Sequence, residues 1–110
     1  MKQKALAVGL SPKTRYYLIN YLVNFLNIDV HERENFHDIF SDKEKYQLLI
    51  VPVSFTDIIS PSYFLIPTLF VCEKNEHYIA NQKHKKAYIN LEPFRTVDIK
   101  NTINYLLGLV

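Results

Sequence analysis

Cys72, Ser11 and four scattered histidines are the side chains whose chemistry could make this chain a catalyst or a metal binder. Cys72 closes the apolar run at residues 67–72 ("PTLFVC"), and His77 follows five residues later. A thiol beside an imidazole can act as nucleophile and base. At the end of an apolar strand, however, a thiol is buried and inert, and that is the state expected here. Ser11 and Thr14 precede a helix, where backbone N–H groups bind anions weakly and hydroxyls cap the first turn. Capping accounts for both. His31, His37, His77 and His84 share no i, i+4 ligand spacing, and no cysteine pairs with them, so solvated histidines are expected and no metal. The basic cluster at residues 81–87 ("NQKHKKA") could meet an acidic partner or nucleic acid, but a solvated loop is the simpler account. Only Gly9 and Gly108 are glycines, so no glycine-rich phosphate loop can be built. Walker-type and dinucleotide-binding activities are thereby excluded, and no cofactor is expected.

Composition narrows the field in the same direction. A chain of 110 residues fits one domain and can bury a core without disulfides or a structural metal. Apolar residues at 48% and charged residues at 22% are ordinary for a globular protein. A net charge of +2 is too small to point to nucleic acid or acidic lipid. The single cysteine excludes an intrachain disulfide and suits a reducing compartment. No apolar run is long enough to span a membrane, and the basic start lacks the apolar stretch of a signal peptide. A cytoplasmic protein without membrane contact is expected.

The elements that must position these residues follow from hydrophobic patterning. Residues 5–9 ("ALAVG") form a short apolar run, and Ser11-Pro12 then supplies an N-cap with proline at the first helical position. From 13 to 27 the polar residues Lys13, Asn20, Asn24 and Asn27 share one helical face. Leu18, Leu22 and Phe25 lie opposite, flanked by Ile19, Val23 and Leu26. Residues 28–34 alternate as an exposed strand does. Residues 47–53 ("QLLIVPV"), 67–72 and 86–91 ("KAYINL") read as buried strands, and 36–45, 56–63 and 76–81 as weak helices. A last helix is predicted over 96–107, with Ile99, Ile103, Leu106 and Val110 on one stripe and Gly108 at its C-terminus. Near-unbroken apolar strands alternating with helices predict a doubly wound, flavodoxin-like parallel sheet of five strands with helices on both faces.

Three strand ends carry a resemblance. "YQLLIVP" (46–52), "PTLFVCE" (67–73) and "YINLEPF" (88–94) are similar to the third, fourth and fifth strands of a bacterial response-regulator receiver domain. Such strands end in an aspartate, a threonine or serine, and lysine-proline-phenylalanine respectively; Pro93-Phe94 is the specific part of the match. The resemblance implies a phosphorylation site at these ends, and this chain departs from it at every position. Gly9, Leu10 and Ser11 stand where an acidic pair would hold magnesium, so no carboxylate serves a hard cation. Pro52 takes the phosphoacceptor position and has no nucleophile. Cys72 replaces the hydroxyl residue. Glu92 replaces the lysine, and its carboxylate would repel a phosphoryl group. The resemblance therefore implies a pseudo-receiver, a non-catalytic signalling domain. It either stands alone or, as receivers usually control an attached output domain, is part of a transcription regulator that touches DNA only through an output domain outside this chain. The alternative is an enzyme or phosphocarrier using Cys72 or Ser11, against which the missing acids, glycines and paired base count.

The thirteen residues 54–66 are too few for the full third helix of a receiver. That shortened spacing is also similar to the B subunit of sugar phosphotransferase systems and its degenerate copies in transcription regulators. Their phosphocysteine follows the first strand, where this chain reads "GLSPKTR" without a cysteine. A strand at 86–91 distinguishes the two, because the sugar-transport subunit has a four-stranded sheet.

Aromatic residues exceed what one core contact needs. Tyr16, Tyr17 and Tyr21 widen the apolar surface of the first helix, and Tyr105 lies outside the stripe of the last. Aromatics on polar helical faces are enriched at protein interfaces, though a small core can also claim them. In receivers the last helix and the preceding strand and helix commonly form a dimer face. That places Tyr78, Tyr88 and Tyr105 near a homodimer contact by resemblance, with Tyr17 and Tyr21 as a competing patch.

Overall fold

The computed structural model describes residues 3–33, 46–53, 66–72, 86–90 and 95–108. Five strands form one sheet: β1 (Lys4–Val8), β2 (Asp29–Arg33), β3 (Leu48–Pro52), β4 (Thr68–Cys72) and β5 (Lys86–Asn90). Their spatial order is β2-β1-β3-β4-β5, and every neighbouring pair is parallel. This is the doubly wound, flavodoxin-like order. β3 and β4 are buried at all five positions, which is why both read as unbroken apolar runs rather than alternations. Gln47 fixes the register where β1 and β3 begin. Its N–H donates to the Lys4 carbonyl at 2.9 Å, and its Oε1 accepts from the Lys4 N–H at 2.7 Å.

The predicted strand at 86–91 is present as β5, paired residue for residue with β4 from Thr68↔Lys86 to Cys72↔Asn90. A four-stranded sheet of the sugar-transport type does not accommodate it. The predicted helices at 36–45, 56–63 and 76–81, the shortened 54–66 spacing, and Leu91 and Val110 lie outside the described residues.

Two helices cover one face of the sheet. The N-terminal helix occupies residues 12–24, with a π-helical turn at Arg15–Ile19 between α-helical segments at Pro12–Thr14 and Asn20–Asn24. Leu18 and Leu22 from this helix, and Ile99, Ile103 and Leu106 from the C-terminal helix (Thr96–Leu107), pack on Ala5, Ala7, Ile50, Val71 and Ile89. The opposite face carries a second cluster of Leu6, Val8, Tyr46, Leu49, Val51 and Phe70, with Tyr88 against it. Phe70 and Tyr88 stack there with ring centroids 4.9 Å apart.

The N-terminal helix stops three residues before its expected end at Asn27. Asn27 turns the chain with φ 56, a left-handed geometry that asparagine tolerates better than most residues, and the Ile28 N–H then donates to the Leu22 carbonyl. Phe25, expected on the core side with Leu18 and Leu22, is the residue at which the helix ends, with φ -110, and it is 76% exposed. The C-terminal helix matches its predicted bounds and ends on Gly108, left-handed at φ 69, whose N–H bonds the Tyr105 carbonyl at 3.2 Å. Among the described residues no helix is long and apolar enough to cross a membrane.

Candidate functional site

In a doubly wound sheet, function concentrates at the carboxyl ends of the strands, where loops diverge around a crevice. Four of the five positions singled out at those ends are described. Leu10 and Ser11 follow β1, Pro52 ends β3, and Cys72 ends β4. Register brings them to one edge. Ala7 pairs with Ile50, two residues before Gly9 and Pro52, while Pro52 pairs with Val71 and Cys72 with Asn90. Glu92, two residues beyond Asn90, lies outside the described residues.

What this edge offers chemically is limited. Pro52 is buried within the sheet and presents no side-chain heteroatom. Cys72 is 1% exposed, as expected of a structural thiol. Leu10 packs against the apolar cluster beneath the two helices. Ser11 is committed to the helix: its Oγ accepts the Thr14 N–H at 3.3 Å and lies 3.1 Å from the Thr14 Oγ1. No group of three or more histidine, cysteine or acidic residues gathers to hold a metal among the described residues.

Charges collect instead beside the β1–β2 end, at positions sequence patterning did not single out. A cleft of about 380 Å3 is lined by Ala7, Gly9, Leu10, Arg15, Glu32 and Arg33. Arg15 on the helix forms an ion pair with Glu32 on β2, and the Arg33 Nη1 donates to the Glu32 carbonyl at 2.9 Å. The pair spans seventeen residues, so no local signal marks it. It is half exposed, and its worth to stability is correspondingly small.

Among the histidines, His31 is described, and it is not merely solvated as expected. Its Nε2 lies 3.2 Å from the Asp29 Oδ2 and its Nδ1 lies 3.1 Å from the Tyr46 hydroxyl, which ties edge strand β2 to the residue leading into β3. His37, His77 and His84 fall outside the described residues.

The tyrosine candidates divide between surfaces. Tyr21 is half-buried and its hydroxyl donates to the Thr96 carbonyl at 3.3 Å, linking the two helices. Tyr17 is 50% exposed on the outer side of the N-terminal helix, and Tyr105 is 45% exposed on the C-terminal helix. Tyr88 is half-buried against Phe70. Tyr78 lies outside the described residues.

This geometry is that of a receiver fold. The chain is similar to the crystal structure of a response regulator receiver domain protein from Bacillus halodurans C-125, with a TM-score of 0.65 and 20% identity over 96% of this chain and 97% of that one. Likeness at that identity is a likeness of fold. A second structure, a fragment named as a lipoprotein from Peptoclostridium difficile 630, has a TM-score of 0.46 and 18% identity over 99% of this chain and 95% of that one. No protein-family model and no curated protein matches the chain.

Proposed function

We propose that this chain is a pseudo-receiver: a non-catalytic domain that keeps the receiver fold and acts by docking a protein partner without being phosphorylated. The observation that carries the proposal is Pro52. It ends β3, the position of the phosphoacceptor aspartate by resemblance, and it is buried in pairing with Val71 of β4. Proline carries no nucleophile, and among the described residues the neighbouring strand ends supply no replacement: Leu10 is packed, Ser11 caps a helix, and Cys72 is buried. A second copy of the chain is the partner in this proposal. The wider role is regulation of transcription in a bacterium, with DNA contacted only by an output domain outside this chain.

Incubation with acetyl phosphate and magnesium, followed by intact mass measurement, tests the central claim. The mass is expected to stay unchanged. Stoichiometric, magnesium-dependent addition of one phosphoryl group would falsify it.

A further inference from the structure

Among the described residues, exposed aromatic surface is concentrated on one helix. Tyr16, Tyr17, Val23 and Phe25 are 67%, 50%, 39% and 76% exposed, and all four lie within ten residues of the N-terminal helix and its end. The core-facing work of this helix is done by others, with Leu18 and Leu22 fully buried and Tyr21 tied to Thr96. From Tyr16 to Ile28 the sequence "YYLINYLVNFLNI" holds no charged residue. A chain that is 22% charged would place roughly three in such a stretch. Solvent-facing helices normally carry charge on their outer side. Here the charges are confined to Lys13 and Arg15 in the first turn, Arg15 being paired with Glu32, and the neutral aromatic remainder marks a contact surface.

Its rings are already in place. Tyr16 and Tyr17 meet edge to face with centroids 5.1 Å apart, and Tyr21 stacks on Phe25 at 5.6 Å. The π turn at Arg15–Ile19 holds Tyr16 and Tyr17, and such turns are frequent at functional sites. Rings ordered before contact lose little rotamer freedom when they bind.

We infer that the outer face of the N-terminal helix is the surface through which two copies of this chain associate, which deepens the partner-docking role proposed above and rests on it. The absence of charge from Tyr16 to Ile28 selects the occupant, since Lys13 lies nearly two turns from Asn20 and so away from an axis through the asparagines. A two-fold contact sets a surface against itself, so each charge near the axis meets its own sign, whereas a neutral surface has no such conflict. Asn20 and Asn24 are exposed on this face, with the Asn24 Nδ2 donating to the Asn20 Oδ1 at 3.1 Å. A carboxamide has two donors and two acceptor sites, so each pair keeps capacity to bond an identical pair across the axis. Nucleic acid or anionic lipid would need cations that this stretch lacks.

Sedimentation equilibrium of the full chain over a hundredfold concentration range tests the inference. The wild type is expected to dimerise. Tyr17→Glu and Phe25→Glu are each expected to weaken the dimer at least thirtyfold, the factor that matches about 2 kcal/mol for a lost interface aromatic. Circular dichroism should show both variants folded, because each replaces an exposed ring. Tyr105→Ala and Lys100→Glu, on the C-terminal helix, should leave the dimer intact. A monomeric wild type overturns the inference, as does a dimer broken by Tyr105→Ala but not by Phe25→Glu. Neither result touches the phosphorylation test, so a monomer that accepts no phosphoryl group would sink the contact surface and leave the phosphorylation-independent reading standing.

Discussion

Ser11 and Pro52 occupy positions where a receiver's chemistry resides by resemblance, and each has a structural occupation here. The Ser11 side chain caps the helix that begins at Pro12. Replacing it with alanine removes the bond to the Thr14 N–H and should cost about 1 kcal/mol. Ser11→Asp retains an acceptor and adds a favourable interaction with the helix dipole, so it should stay near wild type. Guanidinium unfolding followed by circular dichroism distinguishes the two, and equal losses would show that the cap contributes nothing. Pro52→Asp restores a potential phosphoacceptor in name only. The carboxylate would enter a buried strand end with no acidic pair for magnesium among the described residues. It should destabilise the protein by about 1–3 kcal/mol without gaining phosphorylation by acetyl phosphate. Phosphorylation of that variant would show a working metal site at this edge.

At the scale of elements, two left-handed residues decide where helices end. Gly108 closes the C-terminal helix at φ 69, and a Cβ built there meets nothing within 4 Å. Gly108→Ala should therefore cost only the backbone penalty of about 1–2 kcal/mol, and Gly108→Asn less, since asparagine bonds locally in that geometry. Equal stability for glycine and alanine would mean the helix frays before its cap. The link between helices is also measurable. Tyr21→Phe removes the bond to the Thr96 carbonyl but keeps the ring stacked on Phe25. For a partly solvated bond the expected loss is about 0.5–1 kcal/mol by chemical unfolding. A much larger loss would indicate that this single bond docks one helix on the other. Edge strand β2 carries Asp29, His31, Glu32 and Arg33, a charged rim of the kind that discourages strand-to-strand aggregation.

At the scale of the whole molecule, one sheet separates two apolar clusters that share no side chain. Ile103→Val beneath the helices should cost about 0.5–1.5 kcal/mol and Val51→Ala on the other face about 2 kcal/mol. Their effects should add to within about 0.5 kcal/mol in a double-mutant cycle, because neither residue contacts the other's cluster. Coupling above about 1 kcal/mol would show that the sheet transmits packing strain between its faces. Residue patterning alone was enough to locate all five strands, the C-terminal helix and its glycine cap, and to imply a parallel sheet. These are local consequences of burial: a strand covered on both faces must be apolar throughout, and a helix covered on one side must repeat every three to four residues. The early end of the N-terminal helix, the outward turn of Phe25, and the Arg15–Glu32 and His31–Tyr46 contacts were not legible in that pattern. Each depends on how a helix is wound and docked, or on which strands lie side by side. The order β2-β1-β3-β4-β5 brings together residues that are far apart in the chain, and no local periodicity encodes such a meeting. The burial of Pro52 and Cys72 at their strand ends follows from the same apolar runs, whereas the register that brings those ends to one edge came only from the assembled sheet.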